Sequence, residues 1–390
     1  MLRRFAVPAL ALAAALVTAA PAQAADDEWD IPDGATITVE GRGFGHGRGM
    51  SQYGAKHAAE DGVGYRKILA HYYPGTSWDT VAGAVRIWIS EGDLDNAVRV
   101  APRSGLVARK VGSDTAWDLG KAQPRAQAWR IVPEGDAVSV LQYLQRGWHR
   151  FRRVTGLLEF AAQGKPIRLS THSGSAAYRG ILRSVPSSPG NRITVNVLPM
   201  DTYLRGVVPA EVVASTWPQQ AQRAQAVAAR SYAALKRDTR TDKLYDLDDT
   251  PGYQHYLGAG AEHPASDRAV QATAGQILTW AGEPAFAEFT ASNGGWSVAG
   301  DEPYLQASPD PWDRTKAWEV PFTDTELEAA WPGIGDLTRI EIAGRDGNGD
   351  WGGRAGTVTL TGSADTNELT GTEFYQRLGL RSAWFTLHVS

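Results

Sequence analysis

The chain has 390 residues, 43% of them hydrophobic and 21% charged, which is enough to bury a substantial core and to form two domains. Its formal net charge is −4, and −6 once Arg3 and Arg4 in the first 24 residues are set aside, so nothing in the bulk charge attracts nucleic acid or an anionic membrane. No cysteine is present, which excludes disulfides, lipoprotein anchoring and thiolate metal sites.

Residues 1–24 read as a secretory signal: Arg3 and Arg4, an apolar run over 5–20, and the small-residue site Ala22-Gln23-Ala24. The residues usual around a twin-arginine signal are absent, so the general export route is expected. An uncleaved membrane anchor is the alternative, because the run is nearly long enough to span. Residues 25–36 are expected to form a flexible start. Glycine then occupies every second position from Gly41 to Gly49. If that run is extended, one face is bare backbone while Arg42, Phe44, His46, Arg48 and Met50 project from the other. It fails the spacing of a phosphate loop. Residues 51–72 read as helical and end at the turn Tyr73-Pro74-Gly75, so 37–80 forms one segment.

From 84 to 197 the hydrophobic period is two, as in Val85, Ile87 and Ile89 or Ile193, Val195 and Val197, which predicts a β-rich region of short strands. His149 and His172 have no ligand-type neighbours there. The stretch 201–236 is the centre of the chain. Thr216 and Gln219 fit a capping box, and Ala221, Ala224, Ala228, Ser231 and Leu235 give the following helix a face of small side chains. Glu211 is the one acid between Asp201 and Asp238, flanked by Val207, Val208, Pro209, Val212, Val213 and Trp217. Apolar company raises a carboxyl pKa, whereas the start of the following helix would lower it.

Residues 246–260 form a polar loop with Asp248, Asp249 and His255, read as solvated, and no metal or cofactor is expected. A short helix over 267–274 and strands over 276–280 and 285–290 lead to the turn Ser292-Asn293-Gly294-Gly295-Trp296, which could present a hydroxyl, an amide and bare N–H groups to a ligand. Asp346, Asn348 and Asp350 imitate a calcium loop, but Trp351 and Thr357 replace its glycine and glutamate, leaving a hairpin turn. A helix over 372–380 and a strand over 384–389 complete an α+β fold, a β-rich region packed with an Ala-rich helical core over 198–390. One acid in an apolar setting, glycine loops carrying His46 and Ser292, and 14 Trp with 13 Tyr suit carbohydrate chemistry. A hydrolase needs a second carboxylate, for which Asp201 is a candidate. A single acid suffices if a hydroxyl of the sugar itself is the nucleophile.

The runs LPMDTYLRGVVPAE, ending at Glu211, and AQAVAARSY, from Ala224 to Tyr232, resemble the signature of the stage II sporulation protein D / amidase-enhancer family. GHGRGMSQYGA, from Gly45 to Ala55, resembles its second hallmark, and Ser292-Asn-Gly-Gly295 its third. The resemblance implies a lytic transglycosylase, a lyase of cell-wall remodelling and sporulation, acting on peptidoglycan strands stripped of stem peptides. Other members enhance a wall amidase, which makes such an amidase a possible partner. Glu211 would then be the catalytic acid and base. Arg230, His46, Ser292, Gly294, Gly295, Tyr203, Gln225 and Gln52 would bind substrate. In the family the His-Gly loop follows the central motif, so this chain reads as circularly permuted, with 37–80 belonging to the catalytic core. Some members hold a metal through Cys and His after the central helix, and this chain lacks that cysteine set.

Overall fold

The computed structural model describes residues 26–241 and 243–390. Helices and strands mix throughout in an α+β fold, and the expected signal at 1–24 lies outside the described residues. Among the described residues no helix is long and apolar enough to cross a membrane. The chain divides into two compact units, one of residues 40–319 and the other of 26–39 with 320–390. This partition departs from the expected core over 198–390, because the last 71 residues pair with the start of the chain rather than with the central helix.

In the larger unit, the period of two over 84–197 produces antiparallel strands in two sheets, one of them extended by the parallel edge strand Leu247–Asp248, and the sheets share one apolar interior. The strand Ala84–Ile89 buries Val85, Ile87 and Ile89 and leaves Arg86 and Trp88 half-exposed, as a one-sided strand must. That interior continues without a break onto Tyr203, Leu204, Val207 and Val208. These residues belong to a helical part built from α1 (Gln52–Glu60), α2 (Tyr65–Tyr72), α3 (Met200–Glu211), α4 (Gln219–Thr239) and α5 (Pro264–Ala272). The helix α4 is central and packs on all four others and on the strand Gln276–Trp280. Its alanines at 221, 224, 226, 228, 229, 233 and 234 are buried, and small side chains at the contacts allow short interaxial distances. The expected capping box is not made. Pro218 takes the N-cap position, and the Gln219 side chain instead donates to the carbonyl of Ala265, tying α4 to α5.

The condition of an extended run at 41–49 is not met. Gly43, Gly45, Gly47 and Gly49 have φ of 74°, 98°, 76° and 64°, so every second residue turns left-handed and the chain coils. The Phe44 and Ser292 backbones exchange hydrogen bonds of 2.8 and 3.1 Å, and Met50–Ser51 pairs in parallel with Phe289–Thr290. Met50, Ala55, Ile68 and Leu69 then bury against Ala224, Val227 and Ala228 of α4. Residues 40–73 thus join the unit of Glu211 through pairing distant in sequence.

In the smaller unit, Asp27–Asp30 is a strand, not a flexible start. It pairs antiparallel with Leu337–Ala343, and the acids Asp27 and Glu28 meet Arg345 at 2.7 Å and Arg339 at 2.8 Å. Two helices, Asp324–Ala330 and Gly371–Arg377, carry full capping boxes at Thr323/Glu326 and Thr370/Glu373. The turn with Asp346 and Asn348 lies between paired antiparallel strands, as a hairpin connection.

Gly49 carries the strictest steric demand in the coiled run: a Cβ there would lie 1.9 Å from the Glu288 carbonyl oxygen. Gly49→Ala is expected to destabilise the protein by about 3 kcal/mol or more, combining the left-handed penalty with the overlap. A lower urea midpoint at unchanged m-value would register it.

Candidate active site

Glu211 is the last residue of α3, and the chain turns extended at Val212. The carboxyl therefore sits at the negative end of its own helix, not ahead of a positive one, so the lowering expected from a helix start is absent. Burial pushes its pKa above the ordinary carboxylate value, and two hydrogen bonds temper the rise. The backbone N–H of His255 donates to Oε1 at 2.9 Å, and Nε2 of Gln52 donates to Oε2 at 3.1 Å. Gln52 opens α1 and His255 lies in the loop before α5, so three distant parts of the sequence converge on one carboxyl.

The carboxyl lines a cleft of about 490 Å³. One wall is the coiled glycine run, contributing Phe44, His46 and Arg48; the others carry Tyr232 of α4, Tyr253 and Glu288. Phe44 is 54% exposed, an apolar platform at the mouth. The His46 ring accepts the Arg48 N–H through Nδ1 at 3.0 Å. Arg48 grips Glu288 with two bonds, Nε to Oε2 at 2.9 Å and an Nη to Oε1 at 3.0 Å, the planar fork that guanidinium and carboxylate favour. The Tyr73 hydroxyl donates to the Glu288 carbonyl at 2.6 Å, which holds the backbone just ahead of the strand Phe289–Thr290.

Of the residues expected to bind substrate, His46 and Gln52 line the cleft with Glu211. Tyr203 stands behind it. Its hydroxyl donates to the Gln254 side chain at 3.2 Å, and that amide donates to the Ala229 carbonyl at 3.1 Å, bracing the loop that positions His255. The remaining assignments require correction. Gln225 is buried within α4 and does not line the cleft. Arg230 is wholly buried, donating to Asp201 at 2.8 Å and to the Gln276 carbonyl at 3.0 Å, so it fastens α4 to α3 and to the strand Gln276–Trp280. A guanidinium fully enclosed by the fold cannot contact a glycan. Ser292 is buried on Asp313 at 2.7 Å, and the N–H of Gly294 also donates to Asp313, at 3.1 Å. The N–H of Gly295 donates to Asn293, so the turn satisfies its own donors rather than a ligand's oxygens.

The loop residues Asp248, Asp249 and His255 are also engaged separately: Asp248 receives Thr250, Asp249 receives the Ser90 N–H, and the His255 N–H serves Glu211. Sequence reasoning missed Glu288, Arg48, Tyr232, Tyr253 and His255 as cleft residues. The signal that singled out Glu211 was available for Glu288 as well, a lone acid in the apolar run from Ala285 to Ala291.

Residues 189–280 match the family described as Stage II sporulation protein. The chain is 34% identical over 131 residues to the amidase enhancer of Bacillus subtilis (strain 168), covering 32% of this chain and 17% of that protein. It is 27% identical over 231 residues to the stage II sporulation protein D of Bacillus amyloliquefaciens, covering 52% and 64%. It is 56% identical over 52 residues to the stage II sporulation protein D of Bacillus subtilis (strain 168), covering 13% and 15%. The chain thus spans less than two thirds of the length of each of these relatives. The family match contains Glu211 and His255, while Gln52, His46 and Glu288, which also line the cleft, lie outside it.

Arg230→Lys keeps the charge but loses the fork that reaches Asp201 and the Gln276 carbonyl together. It is expected to cost about 3 kcal/mol of stability in urea unfolding. Glycan binding by the folded fraction should stay at the wild-type level, an outcome that a substrate-contacting arginine would not give.

Proposed function

Because residues 189–280 belong to the stage II sporulation protein D / amidase-enhancer family, we propose that this protein is an exported cell-wall enzyme that cleaves peptidoglycan glycan strands as a lytic transglycosylase. The observation that carries this reading is Glu211, a carboxyl with a burial-raised pKa in an open cleft, its two oxygens oriented by His255 and Gln52. A raised pKa keeps the acid form available, as a general acid requires. The Glu211 proton passes to the glycosidic oxygen as the bond to the anomeric carbon breaks. The carboxylate then takes the proton of the muramic primary hydroxyl while that oxygen bonds to the anomeric carbon. An anhydro end forms, the acid is restored, and no water is consumed.

Hydrolysis would need a second carboxylate with water across the bond. Asp201 does not serve: it stands ten residues earlier on α3, about 15 Å along the axis, and is bound to Arg230. Glu288 does line the cleft, but both of its oxygens are held by Arg48, which favours the route without water. The glycine run, which precedes the matched residues in sequence, is read as a permuted part of the same core. A second reading, a glycan-gripping enhancer of a wall amidase, is favoured by the relative named amidase enhancer. It uses the same cleft without chemistry at Glu211.

Mass spectrometry of peptide-stripped glycan incubated with residues 25–390 separates these readings. Anhydro ends are expected from the wild type, with Glu211→Gln slower by about 10²-fold or more. Reducing ends would mean hydrolysis, and uncleaved but bound glycan would mean the enhancer.

The same group sets a pH dependence. The acid step needs protonated Glu211, so the rate falls as pH rises through its raised pKa. The folded state binds this proton more tightly than the unfolded chain does, so the contribution to stability is present at low pH and is lost as pH rises through the folded pKa. Gln cannot ionise, and Gln52 can flip its amide to receive the new N–H. Glu211→Gln is therefore expected to gain stability relative to wild type between pH 4 and pH 7, as read by urea unfolding at both values.

A further inference from the structure

A second cavity of about 390 Å³ shares Pro251 and His255 with the cleft of Glu211. Its far side comes from the β-rich region, with Glu91, Ser173 and Ser175, and its near side from the loop after α4, with Asp249, Thr250 and Leu257. The β-rich region over 84–197 holds 17 Lys and Arg against 8 Asp and Glu, yet no Lys or Arg lines this cavity. Acids and hydroxyls face it instead. Glu91 is oriented by the Ser173 N–H at 3.3 Å and by the Ser173 hydroxyl, and Asp249 by the Ser90 N–H at 3.1 Å. Leu257, 47% exposed, supplies an apolar edge.

Resting on the glycan reading above, we propose that this cavity is a second sugar subsite, taking an uncharged N-acetylhexosamine ring of the strand whose bond lies at Glu211. Carboxylates accept sugar hydroxyls in strong charge-assisted hydrogen bonds, and a hydroxyl-bearing ring also matches the Ser and Thr of the walls. The exposed Glu91 carboxylate repels the lactyl carboxylate that a muramic ring exposes once its peptide is gone. The subsite thereby sets the register of the strand, with a glucosamine-type ring beyond His255. It also gives the β-rich region a part in binding.

Calorimetry on Glu211→Gln protein tests this with a short and a long N-acetylglucosamine oligomer, the long one of twice the length. The long oligomer should bind more tightly. Ser175 is exposed on the edge strand Gly174–Tyr178, where an aromatic residue is well accommodated, so Ser175→Trp fills the cavity without touching the core. The ratio of long- to short-oligomer affinity is expected to fall about ten-fold in Ser175→Trp and several-fold in Glu91→Gln, which removes only the charge. A long oligomer that binds no tighter than the short one, or a ratio unchanged in both variants, overturns the subsite and leaves the glycan reading standing. If neither oligomer nor peptide-stripped glycan binds, the glycan reading falls and the subsite with it.

Discussion

The close packing of α4 is the constraint on which the rest of the larger unit depends. A 21-residue helix surrounded by four others and a strand can be buried on so many sides only if its contacts are small, and seven buried alanines meet that requirement. Its one internal cation, Arg230, is tolerable because Asp201 and backbone carbonyls of Ala226, Val270 and Gln276 receive its guanidinium. That arginine locks α3 at its first turn, and α3 presents Glu211 from its last. On another face of α4, Ala224, Val227 and Ala228 seat the segment that supplies Gln52. Both halves of the Glu211 environment are thus referred to one rigid element.

Two carboxyls share the cleft and are treated differently by their surroundings. Glu211 is half-buried, takes its hydrogen bonds from neutral donors, and gains a raised pKa from that burial. Glu288 is paired through both oxygens with Arg48 from the glycine run. The first arrangement keeps a proton available; the second occupies a carboxylate and fixes a wall. The coiling of Gly43 to Gly49 makes the second possible, since it brings the Gly49 backbone so close to Glu288 that no side chain fits between them. Tyr203 and Gln254 act at one remove, holding the loop whose N–H reaches Glu211.

Local elements were read well wherever one-dimensional periodicity carries the information. The strand Gln276–Trp280 has the expected limits, the helices at 52–60 and 65–72 fall within the expected helical stretch, and the alternation over 84–197 became two sheets. The failures share a cause. Whether the glycine run is extended is not legible in the sequence, because alternation in type mimics alternation in facing and only the φ angles distinguish a ribbon from a coil. Residues 27–30 looked flexible because their partners, Arg339 and Arg345, lie more than 300 residues away. Ser292 and Gly294 looked poised for a ligand because Asp313, which satisfies them, follows by about twenty residues with no local pattern.

The sequence by itself determined the α+β class, the acid set in apolar company and the helix around which the core forms, because these follow from side-chain volume, apolar spacing and the isolation of Glu211 among apolar neighbours. Tertiary structure alone decided which groups meet that acid. It moved Arg230 from substrate to scaffold, closed the Ser292 turn on Asp313, brought Gln52 and His255 onto the carboxyl, and paired Glu288 in the same cleft with Arg48. Hydrogen bonds and ion pairs act over about 3 Å in space, a distance that carries no record of separation along the chain.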